Sequence, residues 1–229
     1  MSATAKITLN VDAQKKKLKT ALSKLDLNVS EHQTDQMIQL MQELMRWNKT
    51  YNLTAIRDSD QALVQHLFDS LSVVKPLSEY LKDLSHESPA IMDVGSGSGF
   101  PGLVLAIAMP QAQVVCVDAV EKKISFIRQI KGMLGLKNLD AVHARVEDME
   151  TLPCQIVISR AFSSLKDFVQ LAGKHVARDG KIAAMKGKTP VEEMQELSNE
   201  DHWAIDKTIR LVVPEMEAER CLIWIEKRE

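Results

Sequence analysis

Ile91-Met92-Asp93-Val94-Gly95-Ser96-Gly97-Ser98-Gly99-Phe100-Pro101-Gly102 is the stretch on which the fold turns. A short apolar run carries an acid, glycines follow at alternate positions, and a proline opens the next apolar segment. That order reads as a buried strand, a tight turn and a helix start. Pro101 is expected at the first helical position, where its missing N–H costs nothing. The glycines let a ligand approach the main chain closely, and free N–H groups at the helix start favour an electron-rich partner.

The next segment, Gln113-Val114-Val115-Cys116-Val117, reads as a second strand that ends at Asp118. A carboxylate at the tip of the neighbouring strand can accept hydrogen bonds from ribose hydroxyls, so this βαβ unit predicts a nucleoside site. The window from Gly97 to Gly102 satisfies G-x-G-x-x-G, and a dinucleotide such as NAD stays open on that pattern. Asp93 weighs towards S-adenosylmethionine. An acid there repels a pyrophosphate, yet it can pair with the ammonium of an amino-acid-bearing nucleoside.

Outward from this unit the chain alternates. Strands are expected near 90–94, 113–117, 139–143, 155–159 and 181–186, with helices near 101–109, 120–135, 164–176 and 190–198. Two consecutive strands, about 203–213 and 219–227, close the chain. Alternating units predict a doubly wound α/β sheet with its ligand at the carboxyl ends of the strands. Counting the terminal hairpin gives a seven-stranded, Rossmann-like sheet with one antiparallel strand, similar to the class I S-adenosylmethionine-dependent methyltransferase fold. Before the sheet, apolar spacing predicts a surface helix over 11–26. A second helix is opened by a Ser30/Gln33 capping box and carries Met37, Leu40, Met41, Leu44 and Trp47. The segment 48–54 reads as a polar link, and a third helix over about 59–74 stops before Pro76. The expected division is a helical extension, 1–86, packed on a nucleoside-binding domain, 87–229.

Composition narrows the class. Hydrophobic content of 45% and a net charge of −2 suit a globular protein. No apolar run approaches a membrane span and the first ten residues lack a signal-peptide core, so a cytoplasmic protein is expected. Three widely spaced cysteines read as reduced thiols, and the scattered histidines give no metal-ligand spacing. Residues 121–188 carry 13 basic and 7 acidic groups. Such a run is either a solvated face or a patch for phosphates.

Chemistry is expected where strands end. Arg145-Val146-Glu147 follows the third strand, suited to clasping an adenine, with backbone N–H at Val146 or Glu147 on the base edge. Ser159-Arg160-Ala161-Phe162 follows the fourth, where this fold usually takes its methyl acceptor. The Asn-Pro-Pro-Tyr type loop of amine methylation is absent, and Cys154 precedes its strand, at the wrong edge for a cytosine nucleophile. What remains is a ring nitrogen lone pair such as guanine N7, for which alignment and desolvation suffice. Arg160 is then the catalytic candidate, its fork suited to the cofactor carboxylate or to the target phosphate. Phe100 and Phe162 are candidate stacking surfaces. Lys186 and Lys188 add charge at the same rim. His66 and Asp69, three apart, read as a helix-surface pair.

Trp47-Asn48-x-x-Tyr51-Asn52-Leu53-Thr54, His66-Leu67-x-Asp69-Ser70, the glycine loop from Asp93 to Gly102, Arg145-x-Glu147, Ser159-Arg160-Ala161-Phe162 and Lys186-Gly187 occur in one order over most of the chain. Together they resemble the RsmG (GidB) methyltransferases. The resemblance implies transfer of a methyl group from S-adenosylmethionine to guanine N7 in small-subunit (16S) ribosomal RNA, near the decoding site. It implies cofactor contacts at Gly95, Phe100, Val146, Glu147 and Arg160; Asp118 comes from strand geometry instead. The expected partner is the RNA or a 30S assembly particle, and the expected protein is a monomer without metal. A small-molecule methyltransferase and a nucleoside-sensing ribosome-docking protein are the rival readings.

Overall fold

The computed structural model describes residues 3–84, 86–160 and 162–228, with side chains from residue 11 onward. Helix α1 (Ala3–Lys24) and helix α2 (Glu31–Tyr51) lead into α3 (Ser59–Ala62), which runs through a π-helical stretch (Leu63–Phe68) into α4 (Asp69–Leu71). Helix α5 (Val74–Asp83) completes the N-terminal part. The alternating part is β1 (Ala90–Val94), α6 (Gly102–Ala108), β2 (Gln113–Asp118), α7 (Glu121–Leu134), β3 (Leu139–His143) and β4 (Cys154–Ser159). It continues with α8 (Leu165–Ala172), β5 (Val176–Lys186), α9 (Val191–Ser198), β6 (Trp203–Leu211) and β7 (Arg220–Lys227).

The seven strands form one sheet in the order β3-β2-β1-β4-β5-β7-β6. The first five are parallel, and β7 runs antiparallel to both β5 and β6. Order reverses between β1 and β4, which opens a crevice at their carboxyl ends. This is the class I methyltransferase fold.

Successive residues of a strand point to opposite faces, and β1 shows the consequence. Ile91 joins a core with α1, α2, α6 and α7, whereas Met92 and Val94 join a second core under α8. The N-terminal helices thus share packing with one face of the sheet. Polar bonds fix them there. The Ser30 box forms as expected, and Gln33 also donates to the Ile107 carbonyl at 2.7 Å. Gln36 donates to Leu134 O at 2.9 Å, satisfying a carbonyl at the end of α7.

Four local expectations need correction. Helix α2 runs to Tyr51, so only the end of the supposed link is outside it. The third helical run ends before Pro76 as expected, at Leu71, but Pro76 does not begin a loop: it lies in the first turn of a further helix, α5, where a proline loses no bond. Pro101 is the cap residue before α6, not its first residue. Asp93 does not face a ligand. It is fully buried, and its Oδ2 accepts the Gly102 N–H at 2.9 Å.

Gly102 is the close-approach glycine. A methyl there would overlap the Cys116 sulfur and lie 2.8 Å from Asp93 Oδ2. Gly102→Ala should destabilise the protein by about 2 kcal/mol, an overpacking cost, read as a lower denaturant midpoint. An unchanged midpoint would show that the loop relaxes freely.

Candidate active site

Two cavities open at the carboxyl ends of the strands. The first, about 210 Å³, lies over β1, β2 and β3 and is lined by Gly95, Asp118, Val146, Glu147 and Phe162 among others. The second, about 360 Å³, is lined by Gln65, His66, Asp69, Arg160, Lys186 and Arg220 among others. The stretch after β4 reaches both, through Arg160 on one and Phe162 on the other.

The wall of the first cavity is braced from behind. Gly95 and Ser96 donate backbone N–H groups to Val117 O at 2.8 and 3.1 Å, tying the loop to β2. Asp118 is buried, and its two oxygens take the Gly97 and Val120 N–H groups at 2.8 Å each. A carboxylate offers about four acceptor positions, so Asp118 is oriented by these bonds and retains lone pairs for a ribose. Gly95 supplies the test of fit. A Cβ added there meets nothing within 4 Å, in a residue that lines the cavity at φ +69. The backbone itself is the floor, as a nucleoside lying on a strand tip requires. Val146 gives an apolar surface, and Glu147 stands beside it with its carboxylate 3.7 Å from Arg145. These residues fit the nucleoside portion of a cofactor such as S-adenosylmethionine.

Phe162 stacks on Phe168 with centroids 4.8 Å apart, and this packing sets the ring at the cavity edge. Phe100 is buried behind the loop, where its ring lies 5.0 Å from that of His66. It supports the wall rather than presenting a free face.

Arg160 turns away from the first cavity. One amino group donates to Gln65 O at 3.0 Å and approaches Asp69 Oδ2 at 3.4 Å. The other donates to His66 Nδ1 at 3.1 Å. A guanidinium can only donate, so His66 Nδ1 accepts and Nε2 carries the proton, facing Thr54 Oγ1 at 2.9 Å. Burial, with the Arg160 charge second, lowers the His66 pKa to about 3 and keeps the ring neutral. Asp69 also receives Arg220 Nε, at 3.1 Å on Oδ1.

His66 and Asp69 therefore are not a surface pair. Both are buried, His66 within the π-helical stretch and Asp69 just after it. A π turn inserts one residue and changes which side chains face inward. His66, Asp69 and Thr54 stand in the quoted motifs without a site role, and Arg220 is the site residue the sequence does not single out. The available signal was a histidine, an aspartate and a serine set among Leu63, Leu67, Phe68 and Leu71, polar groups that need partners once buried.

The positive run at 121–188 is less charged in the fold than its sequence suggests. Much of it is neutralised locally, by Lys131–Asp140, Lys166–Glu200, Lys181–Asp206 and Lys186–Glu193 pairs at 2.6 to 2.9 Å. Burial pushes the Cys154 thiol up to about 12, which suits packing and not attack.

The chain is similar to known proteins. A family model described as rRNA small subunit methyltransferase G matches residues 33–223. A Bordetella petrii protein named ribosomal RNA small subunit methyltransferase G is 50% identical over 213 residues, covering 93% of this chain and 83% of its own. A Bordetella pertussis protein of the same name is 50% identical over 214 residues, 93% of each chain. Among solved structures, the tRNA (m1A58) methyltransferase TrmI from Aquifex aeolicus aligns with a TM-score of 0.53 over 69% of each chain at 15% identity. That likeness concerns the fold alone. The match over most of the chain, at such identity, places this protein in the rRNA small subunit methyltransferase G family.

Proposed function

We propose that the protein transfers a methyl group from S-adenosylmethionine to N7 of one guanosine in small-subunit ribosomal RNA, as a cytoplasmic monomer acting on the RNA or a 30S assembly particle. The observation that carries this reading is the pairing of the two cavities across the end of β4, one shaped for a nucleoside and the other carrying two guanidinium groups. Relatives named for ribosomal RNA methylation supply the substrate class.

In this reading Asp118 takes a ribose hydroxyl, Gly95 lies under the nucleoside, and Val146 with Glu147 holds the adenine. When bound, S-adenosylmethionine supplies a methyl carbon on a positively charged sulfur. Guanine N7 already exposes a lone pair, so no side chain has to remove a proton, and alignment with exclusion of water supplies the rate. Arg160 is the catalytic candidate. Its place on the second cavity favours the target nucleotide over the cofactor carboxylate as its partner. Phe100 and the helical part, residues 1–86, hold the wall on which Arg160 rests, while 87–229 forms the cofactor domain.

The test is transfer of labelled methyl to small subunits, or their RNA, from cells lacking the protein, followed by mapping of the modified base. One methyl at a guanine N7 is expected. No transfer, or transfer to another atom, overturns the proposal, and tighter binding of NAD than of S-adenosylmethionine overturns the ligand assignment.

A further inference from the structure

We propose that Tyr51, Arg57 and Lys122 form a track for single-stranded RNA beside the two cavities; this rests on the ribosomal RNA reading above. The segment 48–57 does not line the first cavity, yet it is tightly built. Buried Asn48 donates to Ile56 O at 2.9 Å and accepts the Thr54 N–H at 2.9 Å. Asn52 closes α2 in the left-handed conformation. Arg57 is drawn over this turn, donating to Asn48 O at 3.0 Å and to Asn52 Oδ1 at 2.6 Å. From the other side Lys122, the second residue of α7, donates to Tyr51 O at 3.0 Å.

Tyr51 itself is 46% exposed, an unusual state for a large ring here. It leans on Trp47 with centroids 4.9 Å apart, and Trp47 meets Phe126 edge-on at 5.5 Å. One side of the ring is thus set by the core and the other is left to solvent. Among the described residues neither Arg57 nor Lys122 has a carboxylate partner, in contrast to Lys123 and Arg128 on the same helix as Lys122. Their bonds go to neutral oxygens, so their charge is uncompensated where the ring is exposed.

The track joins the two cavities. Lys122 follows Asp118 closely in sequence, and its neighbour Lys123 lies 3.7 Å from that carboxylate. At the other end Ile56 lines the second cavity and Thr54 bonds His66. An aromatic platform flanked by two unneutralised cations is the composition that holds a stacked base and its phosphates without base specificity. A protein partner would gain little from so small an apolar area.

The test measures binding of protein-free small-subunit RNA by the intact protein across a range of salt, with S-adenosylmethionine affinity measured alongside. Tyr51→Ala should weaken RNA binding by about 5- to 100-fold with the salt slope retained. Tyr51→Phe should keep the wild-type affinity. Arg57→Gln with Lys122→Gln should flatten the salt slope by about 1.4, two charges' worth on a single strand. Cofactor affinity should be unchanged in all three. Wild-type affinity in Tyr51→Ala, an unaltered salt slope in the double variant, or a matching loss of cofactor affinity overturns the track. Wild-type protein that does not bind this RNA overturns the track, and wild-type protein that methylates neither the RNA nor small subunits overturns the functional reading as well, so the two failures are distinguishable.

Discussion

Arg160→Ala lowers methyl transfer to small-subunit RNA by about two to three orders of magnitude, the usual cost of one pre-oriented donor facing developing or fixed charge. The guanidinium is held at once by Gln65 O, Asp69 and His66, and its carbon stands 5.8 Å from the centre of the Phe100 ring. That posture is already paid for by the fold, so the group meets a nucleotide without first being ordered. Lysine cannot reproduce it. An ammonium has the charge but lacks the planar fork that spans three acceptors, so Arg160→Lys should recover little activity. Both variants should bind S-adenosylmethionine within a few-fold of wild type, because the side chain lies on the other cavity. Full transfer by Arg160→Ala would remove Arg160 from the catalytic role. A collapse of cofactor binding would instead place the side chain on the first cavity.

The same residue shows where the sequence was legible and where it was not. Its location after an apolar strand was readable, since alternation and strand-end position are properties of the local pattern. Six of the seven strands lie within two residues of their expected ranges for that reason, while β5 begins five residues earlier than expected, at Val176. The direction of a long side chain is a different matter. It depends on which acceptors lie within reach, and here those come from residues 65–69, almost a hundred positions earlier. The π-helical stretch hid them, because it breaks the 3.6-residue spacing by which a helix face is recognised. Asp93 misled for a similar reason. Its position before the glycines invited a ligand, while Gly102, nine residues on, returns its N–H to that carboxylate. Helix α5 was lost to a rule about proline that holds in helix interiors and not in the first turn.

Two buried groups of this region titrate against each other, and single substitutions should expose it. Burial raises the Asp93 carboxyl to about 6 from 3.8, with the Gly102 N–H acting against the rise. Its Oδ1 has no partner among the described residues, which is why the charged form is costly. Asp93 therefore contributes stability that is fully present below pH 3.8 and lost as pH rises through about 6. His66, lowered from 6.5 to about 3, does the opposite: its contribution is present above pH 6.5 and is lost as pH falls through about 3. Between roughly pH 4 and 6 each slope approaches 1.4 kcal/mol per pH unit, with opposite sign. The wild-type protein should thus show little net dependence from this pair, as measured by denaturant unfolding at pH 4, 5 and 6. Asp93→Asn leaves His66 unopposed, and stability should fall by about 2 kcal/mol from pH 6 to 4 relative to wild type. His66→Gln, which still offers Arg160 an acceptor, leaves Asp93 unopposed and should gain a similar amount over the same interval. Carboxylates held below their usual range by ion pairs, such as Asp60 with Lys17, begin to lose their contribution below about pH 5, and this loss is common to wild type and variants and cancels in their comparison. Parallel pH profiles for Asp93→Asn and wild type would mean that the carboxyl is ionised at no cost, and that Gly102 alone satisfies it.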